Sequence, residues 1–219
     1  RGAPRAEDFR GEALHDPGLI FFLTLALWAL LKWQGDPRKP LAPALIFYAC
    51  LGAGTLTKGL IAIVFPVAIV VLFFAFSRQM PRFRDLHLLP GILLLLAIAV
   101  PWHWLVATRN PGFAEHYFLN EHVRRFLNTR PQQDFASVPL PLFLGLLPAW
   151  LFPWAAFVPA AFAGKKLESE RPLIRLALIW AGFVLLFFSI SSGRLEHYLF
   201  PALPAIAILI GCGIQRNRD

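Results

Sequence analysis

Between residues 17 and 214 the chain runs through one apolar stretch after another, each closed by a short charged or turn-forming segment. The stretches cover residues 17–33, 41–57, 59–76, 88–107, 138–163, 172–190 and about 197–214. At about 1.5 Å of rise per residue, roughly 20 apolar residues cross ~30 Å of hydrocarbon. Inside lipid every backbone N–H and C=O must be satisfied within the chain, so such stretches become helices. The pattern predicts an all-α polytopic membrane protein with about seven transmembrane helices. Residues 17–214 form the membrane domain, 1–16 a loop or N-terminal remnant, and 215–219 a cytoplasmic tail. Composition agrees: 57% of residues are hydrophobic and 16% charged, against about 25% charged in soluble domains.

The formal charge of +8 then reports topology before partners. Alternating spans divide the loops into two sets. One holds Lys32, Arg38, Lys39, Arg78, Arg82, Arg84, Lys165, Lys166, Arg171, Arg175, Arg216 and Arg218. The other holds Lys58, Arg109, Arg124, Arg125, Arg130 and Arg194, spread over more loop residues. Basic residues gather on the cytoplasmic side, so the second set, with Asp16, is expected outside. Nothing beyond net charge suggests nucleic acid. No nucleotide-binding glycine loop, GxSxG or CxxC pair appears. Cys50 and Cys212 lie in apolar runs and read as buried thiols. The chain starts at Arg1 and its sole Met is Met80, so it reads as an internal fragment or processed product.

The longest polar segment, PWHWLVATRNPGFAEHYFLNEHVRRFLNTR over 101–130, falls in the outer set. Trp102 and Trp104 suit a headgroup boundary. His103 between them is a satisfied interfacial histidine or a proton carrier. Residues 113–127 carry apolar positions at helical spacing and predict a short amphipathic helix on the membrane surface, within an extracytoplasmic loop over 108–137. Glu121 and His122 offer a carboxylate and an imidazole to a divalent metal. Neighbours on a helix point about 100° apart, so other ligands would have to come from elsewhere. Arg124 and Arg125 meet lipid headgroups or a substrate phosphate.

Four further residues stand at span ends, where an ionisable group is costly unless paired or used. Asp16 precedes Pro17 and reads as a helix N-cap, a site carboxylate, or both. Lys58 sits in the tight Thr57-Lys58-Gly59 turn between two apolar helices. It either snorkels to the interface or, with the following helix N-terminus, meets a phosphate. Arg194 and Tyr198 lie four apart, one helical turn, between the last two spans. The planar guanidinium of Arg194 suits phosphate recognition, with snorkelling as the plain alternative. The run over 138–163 carries Pro141, Pro148, Pro153 and Pro159, so a straight helix is not expected there.

Five motifs, HDPGLIFFLTLALWAL, GTLTKGLIAIVFP, VPWHWLVATRNPGFAEHYFLNEHVRRF, LLPAWLFPW and FFSISSGRLEHYLFPALPAIAIL, make the chain resemble a known family over nearly all of 14–211. These are the integral-membrane glycosyltransferases of the GT-C fold that use a polyprenyl-phosphate sugar donor, the aminoarabinose transferase-like branch above all. The resemblance implies inverting transfer on the outer face of a bacterial inner membrane, to a lipid, protein or glycan acceptor. It implies a principal acid in a loop preceding Arg1, so that this stretch alone would be inactive, with Asp16 as a second acid. It makes Lys58 the lysine on the donor phosphate and leaves Arg194 where relatives carry a lysine. A phosphate leaving group needs positive charge, so Arg109, Arg125 and Arg194, with Tyr198 beside the last, are the further donor-site candidates. The resemblance makes Glu121-His122 the pair whose His joins a divalent metal with a carboxylate of a C-terminal soluble domain; no other cofactor is implied. The chain departs from the family where it carries Arg194, Glu196-His197 and Ala136-Ser137. A transporter or flippase of amphipathic lipids would suit the broken fifth run, but its ionisable groups belong at mid-membrane, and here they stand at span ends. A structural membrane subunit is the third reading.

Overall fold

The computed structural model describes residues 6–78, 80–127, 129, 137–162 and 171–216, with the side chains of 6–15, 125 and 160–162 left aside. All regular structure among them is helical. The chain divides into two compact units, Arg1–Val123 and Arg124–Asp219.

The first unit is built on α1 (Ala6–Gly35), α2 (Leu41–Lys58), α3 (Ile61–Ser77) and α4 (Leu88–Arg109). The expected loop over 1–16 is corrected in part: α1 is already helical from Ala6 and runs on through Pro17. Residues 6–15 read AEDFRGEALH, rich in the strong helix formers Ala, Glu, Arg and Leu. Asp16 is therefore inside a helix and does not cap one.

Lipid tails are as apolar as leucine, so close packing holds helices together in a membrane, with small residues at the contacts. Ala26 of α1 and Cys50 and Leu51 of α2 form a buried centre, covered by Phe22, Leu25, Phe47, Ile63 and Leu95. Gly54 faces Ala62 of α3, 2.9 Å from where a Cβ would stand, and Gly52 faces Ile98 of α4 at 3.0 Å. Outward, α4 shows Leu89 (73% exposed) and Trp104 (70%), an apolar surface that lipid can cover.

One end of this unit is stitched by polar groups. Lys39 Nζ donates to the Gln34 carbonyl at 2.6 Å and lies over the Trp33 ring. Trp33 Nε1 donates to Asp85 O, Tyr48 OH to Leu86 O, and His87 Nε2 to Lys39 O. The loops 36–40 and 80–87 are thereby tied together, and the last carbonyls of α1 gain a cation.

In the second unit the Arg171–Ile190 and Leu203–Arg216 helices pack on each other, with Trp180, Val184, Phe188, Leu199, Ala205 and Leu209 buried. The fifth run is broken as its prolines require: an α-helix over Leu140–Trp150, then a 3₁₀ stretch over Trp154–Phe162. Among the described residues, five helices are long and apolar enough to cross a membrane: Asp16–Gly35, Leu41–Lys58, Phe83–Arg109, Arg171–Ile190 and Glu196–Arg216. Two shorter apolar helices, Ile61–Ser77 and Leu140–Trp150, fall on the runs 59–76 and 138–163, so five rather than seven of the expected spans are matched by a helix of full crossing length among the described residues.

Candidate functional site

The site begins where α1 meets the end of α2. Gly18 lets the Thr57 side chain stand 3.3 Å from where a Cβ would project, so the two helices approach closely there. That approach brings together two residues 42 positions apart. Lys58 Nζ donates to Asp16 Oδ1 in a salt bridge. Asp16 is 4% exposed and the Lys58 side chain 22%. A carboxylate and an ammonium removed from water are tolerated only when paired. Lys58 is the last residue of α2, and Gly59 after it reverses the chain at φ 79° and ψ −155°. Only glycine readily holds that conformation.

The segment after α4 lies over this turn. It is helical as expected, but its winding is α over Phe113–Glu115, π over His116–Arg124 and α over Arg125–Leu127, not one α-helix. The π register brings residues five apart into contact. His116 Nε2 comes within 3.6 Å of Glu121 Oε1, and His122 Nδ1 donates to the Tyr117 carbonyl at 2.6 Å. His122 Nε2 accepts the backbone N–H of Leu60 at 3.0 Å. A carbonyl only accepts and an amide N–H only donates, so His122 is the neutral Nδ1–H tautomer. Tyr117 OH in turn bonds to His103 Nε2 at 2.9 Å, while His103 Nδ1 donates to Ala99 O at 2.8 Å. His103 Nδ1 carries the proton given to Ala99 O, so Nε2 accepts and the Tyr117 phenol, pushed above its ordinary value of 10.0 by burial, is the donor. His103 is thus the satisfied interfacial histidine of the two readings. Tyr117 escaped the sequence reading, which saw only an apolar position.

The geometry does not fit a metal at Glu121–His122. Both His122 nitrogens are engaged, and the Glu121 carboxylate turns toward His116. Among the described residues no group of three or more His, Cys, Asp or Glu stands together.

Gly59 is held by this neighbourhood as well as by its backbone angles. A Cβ there would come 2.9 Å from His122 Nε2 and 3.1 Å from Tyr117 OH. Gly59→Ala is expected to cost about 2 kcal/mol, measured as a lower thermal midpoint of the full-length protein. An unchanged midpoint would show that the turn accepts a side chain.

The remaining candidates are placed separately. Arg109 is the exposed last residue of α4. Arg125 lies at the start of a helical turn, with its side chain outside the described residues. Arg194 and Tyr198 belong to the second unit, and the expected single helical turn between them is corrected. Arg194 stands in coil before a 3₁₀ stretch over Glu196–Ala202 that contains Tyr198. The coil is held by Ser137, whose Oγ donates to Ser192 O (2.6 Å) and accepts the Arg194 N–H (3.2 Å). Arg194 Nη1 donates to Ser189 O at 2.9 Å. The Tyr198 ring lies 4.7 Å from that of Phe188.

Comparison with known proteins gives three findings. Residues 10–117 match the family described as dolichyl-phosphate-mannose-protein mannosyltransferase. The chain is 32% identical over 206 residues to undecaprenyl phosphate-alpha-4-amino-4-deoxy-L-arabinose arabinosyl transferase 2 of Pseudomonas fluorescens (strain Pf0-1), covering 92% of this chain and 36% of that protein. The corresponding arabinosyl transferase of Yersinia pestis (strain Pestoides F) is 31% identical over 204 residues, covering 90% and 36%. Among solved structures, the fold is similar to ArnT from Cupriavidus metallidurans bound to undecaprenyl phosphate, at TM-score 0.79 and 32% identity, covering 92% of this chain and 37% of that one. The apo state of the same protein gives 0.74 and 31%, covering 92% and 36%. The chain therefore spans 36% of the length of the curated relatives it matches.

Proposed function

The chain belongs to the polyprenyl-phosphate-dependent integral-membrane glycosyltransferases of the GT-C fold, and on that premise we propose that it forms part of the donor site of such an enzyme. The substrate is a polyprenyl-phosphate-linked sugar. The acceptor is a lipid, with protein or glycan as the wider class. The membrane is a bacterial inner membrane and the site faces the periplasm. The observation that carries this reading is the salt bridge from Lys58, the last residue of α2, to the buried Asp16 within α1.

In the proposed reaction an acceptor oxygen forms a bond to the anomeric carbon as the bond from that carbon to the lipid-phosphate oxygen breaks. The acceptor's proton passes to a carboxylate, and the phosphate leaves with the bonding electrons. Negative charge grows on the leaving phosphate, and a fixed cation is worth most where charge develops. Lys58 is that cation, held in place by Asp16 before the donor arrives. Arg109, Arg125, Arg194 and Tyr198 are proposed as further donor contacts, and Asp16 as a catalytic acid of secondary rank. The transporter alternative draws no support from relatives named as arabinosyl transferases or from a family described as mannosyltransferase.

Lys58→Ala in the full-length protein is expected to weaken undecaprenyl phosphate binding by about ten- to a hundredfold, the worth of one hydrogen-bonded charge. Equal affinity in the variant and the wild type would remove Lys58 from the donor phosphate.

A further inference from the structure

Lys58 needs more than Asp16 to hold its place. The turn that follows it rests on a single glycine in a conformation that other residues avoid, and such turns open readily unless something overdetermines them. The overdetermining contact is the Leu60 N–H bonded to His122 Nε2. Leu60 opens α3, where helix amides lack intrahelical carbonyl partners. His122 supplies an acceptor from 62 residues away in sequence. Its own orientation is fixed by the Tyr117 carbonyl, and Tyr117 is fixed by His103 of α4. The sequence of contacts α4–His103–Tyr117–His122–Leu60 therefore runs from one span to the turn that presents Lys58.

We infer that His122 is a positioning residue for the donor site, acting as a neutral hydrogen-bond bridge that holds the Lys58–Gly59 turn against the π-helical stretch. This rests on the reading of Lys58 as a donor-phosphate residue. It also gives the imidazole a different role from the metal ligand implied by the family resemblance. The two roles demand different chemistry at one atom. A bridge needs any acceptor at the Nε2 position, which a glutamine amide oxygen reaches. A metal site needs imidazole.

The test uses the full-length protein in lipid nanodiscs, with undecaprenyl phosphate as the ligand. His122→Phe keeps a ring beside Tyr117 and deletes the acceptor, whereas His122→Gln keeps an acceptor. Leu60→Pro deletes the donor instead. Leu60 has φ −60°, the value proline adopts, and the His122 ring has to turn aside for the pyrrolidine Cδ that replaces the amide hydrogen. His122→Phe and Leu60→Pro are each expected to weaken lipid binding about tenfold, and the double variant no further, because both remove the same bond. His122→Gln and metal-stripped wild type are expected to bind within about threefold of wild type. Hydrogen–deuterium exchange over residues 60–64 should quicken about tenfold in His122→Phe and stay slow in His122→Gln. Losses that multiply in the double variant would overturn the bridge. So would a glutamine variant as weak as phenylalanine, or weakening by chelator alone. If wild type fails to bind the lipid, the donor-site reading falls, and the exchange arm alone decides whether the bridge exists.

Discussion

Asp16→Ala is expected to destabilise the full-length protein by about 3–5 kcal/mol, the cost of leaving one member of a buried ion pair without its partner. Asp16 is 4% exposed and lies within α1, where its apolar portion Asp16–Gly35 begins, so water cannot take the place of the lost carboxylate. Lys58 can snorkel part of the way, because its side chain keeps 22% exposure, and this favours the lower half of the range. Thermal unfolding in detergent measures the effect. The paired change Asp16→Leu with Lys58→Met should recover most of that stability, since apolar replacement of a whole buried pair is often neutral. It should recover no transfer, because the cation on the leaving phosphate is gone. Recovery of both stability and transfer in the double variant would make the pair purely structural. A single variant as stable as wild type would show that the pair contributes nothing to the fold.

How much of this was legible in the sequence follows from the range of each interaction. Spans are local: run length and hydropathy alone placed α1 through α4 and the Arg171–Ile190 helix, because lipid permits little else. The break in the fifth run was equally legible, since Pro148, Pro153 and Pro159 remove N–H donors wherever they fall. Lys58 stood out because a tight turn has no need of a lysine. Asp16 stood out as a cap or a site carboxylate, but nothing in Asp16-Pro17 distinguishes either from an ion pair with a residue 42 positions on. The Leu60–His122 bond spans 62 positions, and its signal is one amide that every residue except proline carries. The π winding of 116–124 was hidden for a related reason. Hydrophobic spacing over so few residues suits either winding, and the choice is made by the contacts of His122 and Glu121. At Arg194 the four-residue spacing misled, because Ser137, 57 positions away, holds that backbone in coil.

Gly91→Ala is expected to cost about 3 kcal/mol or more, at the upper end for overpacking a well-filled interior. Gly91 is buried in α4 and faces Tyr48 of α2, whose Cδ2 lies 2.1 Å and Cγ 2.6 Å from where a Cβ would stand. These are ring atoms near the root of the side chain, so a small rotation does not clear them. The ring is also pinned at its far end by the bond from Tyr48 OH to Leu86 O at 3.0 Å. Accommodation must therefore come from the helix backbones, and α2 and α4 have to part. Their association in lipid depends on that close approach. Gly145→Ala is the control: nothing lies within 4 Å of its added Cβ, and alanine in that helix should be neutral or better by about 0.5–1 kcal/mol. Tyr48→Ala combined with Gly91→Ala should cost less than the sum of the two single changes, because the smaller side chain makes room for the methyl. Strict additivity would place the strain elsewhere. The same helix carries His103 about 18 Å further along its axis, at 1.5 Å per residue. A displaced α4 would then pull His103 from Tyr117, and Gly91→Ala should weaken undecaprenyl phosphate binding as well as stability, although Gly91 lies far from the Lys58 turn.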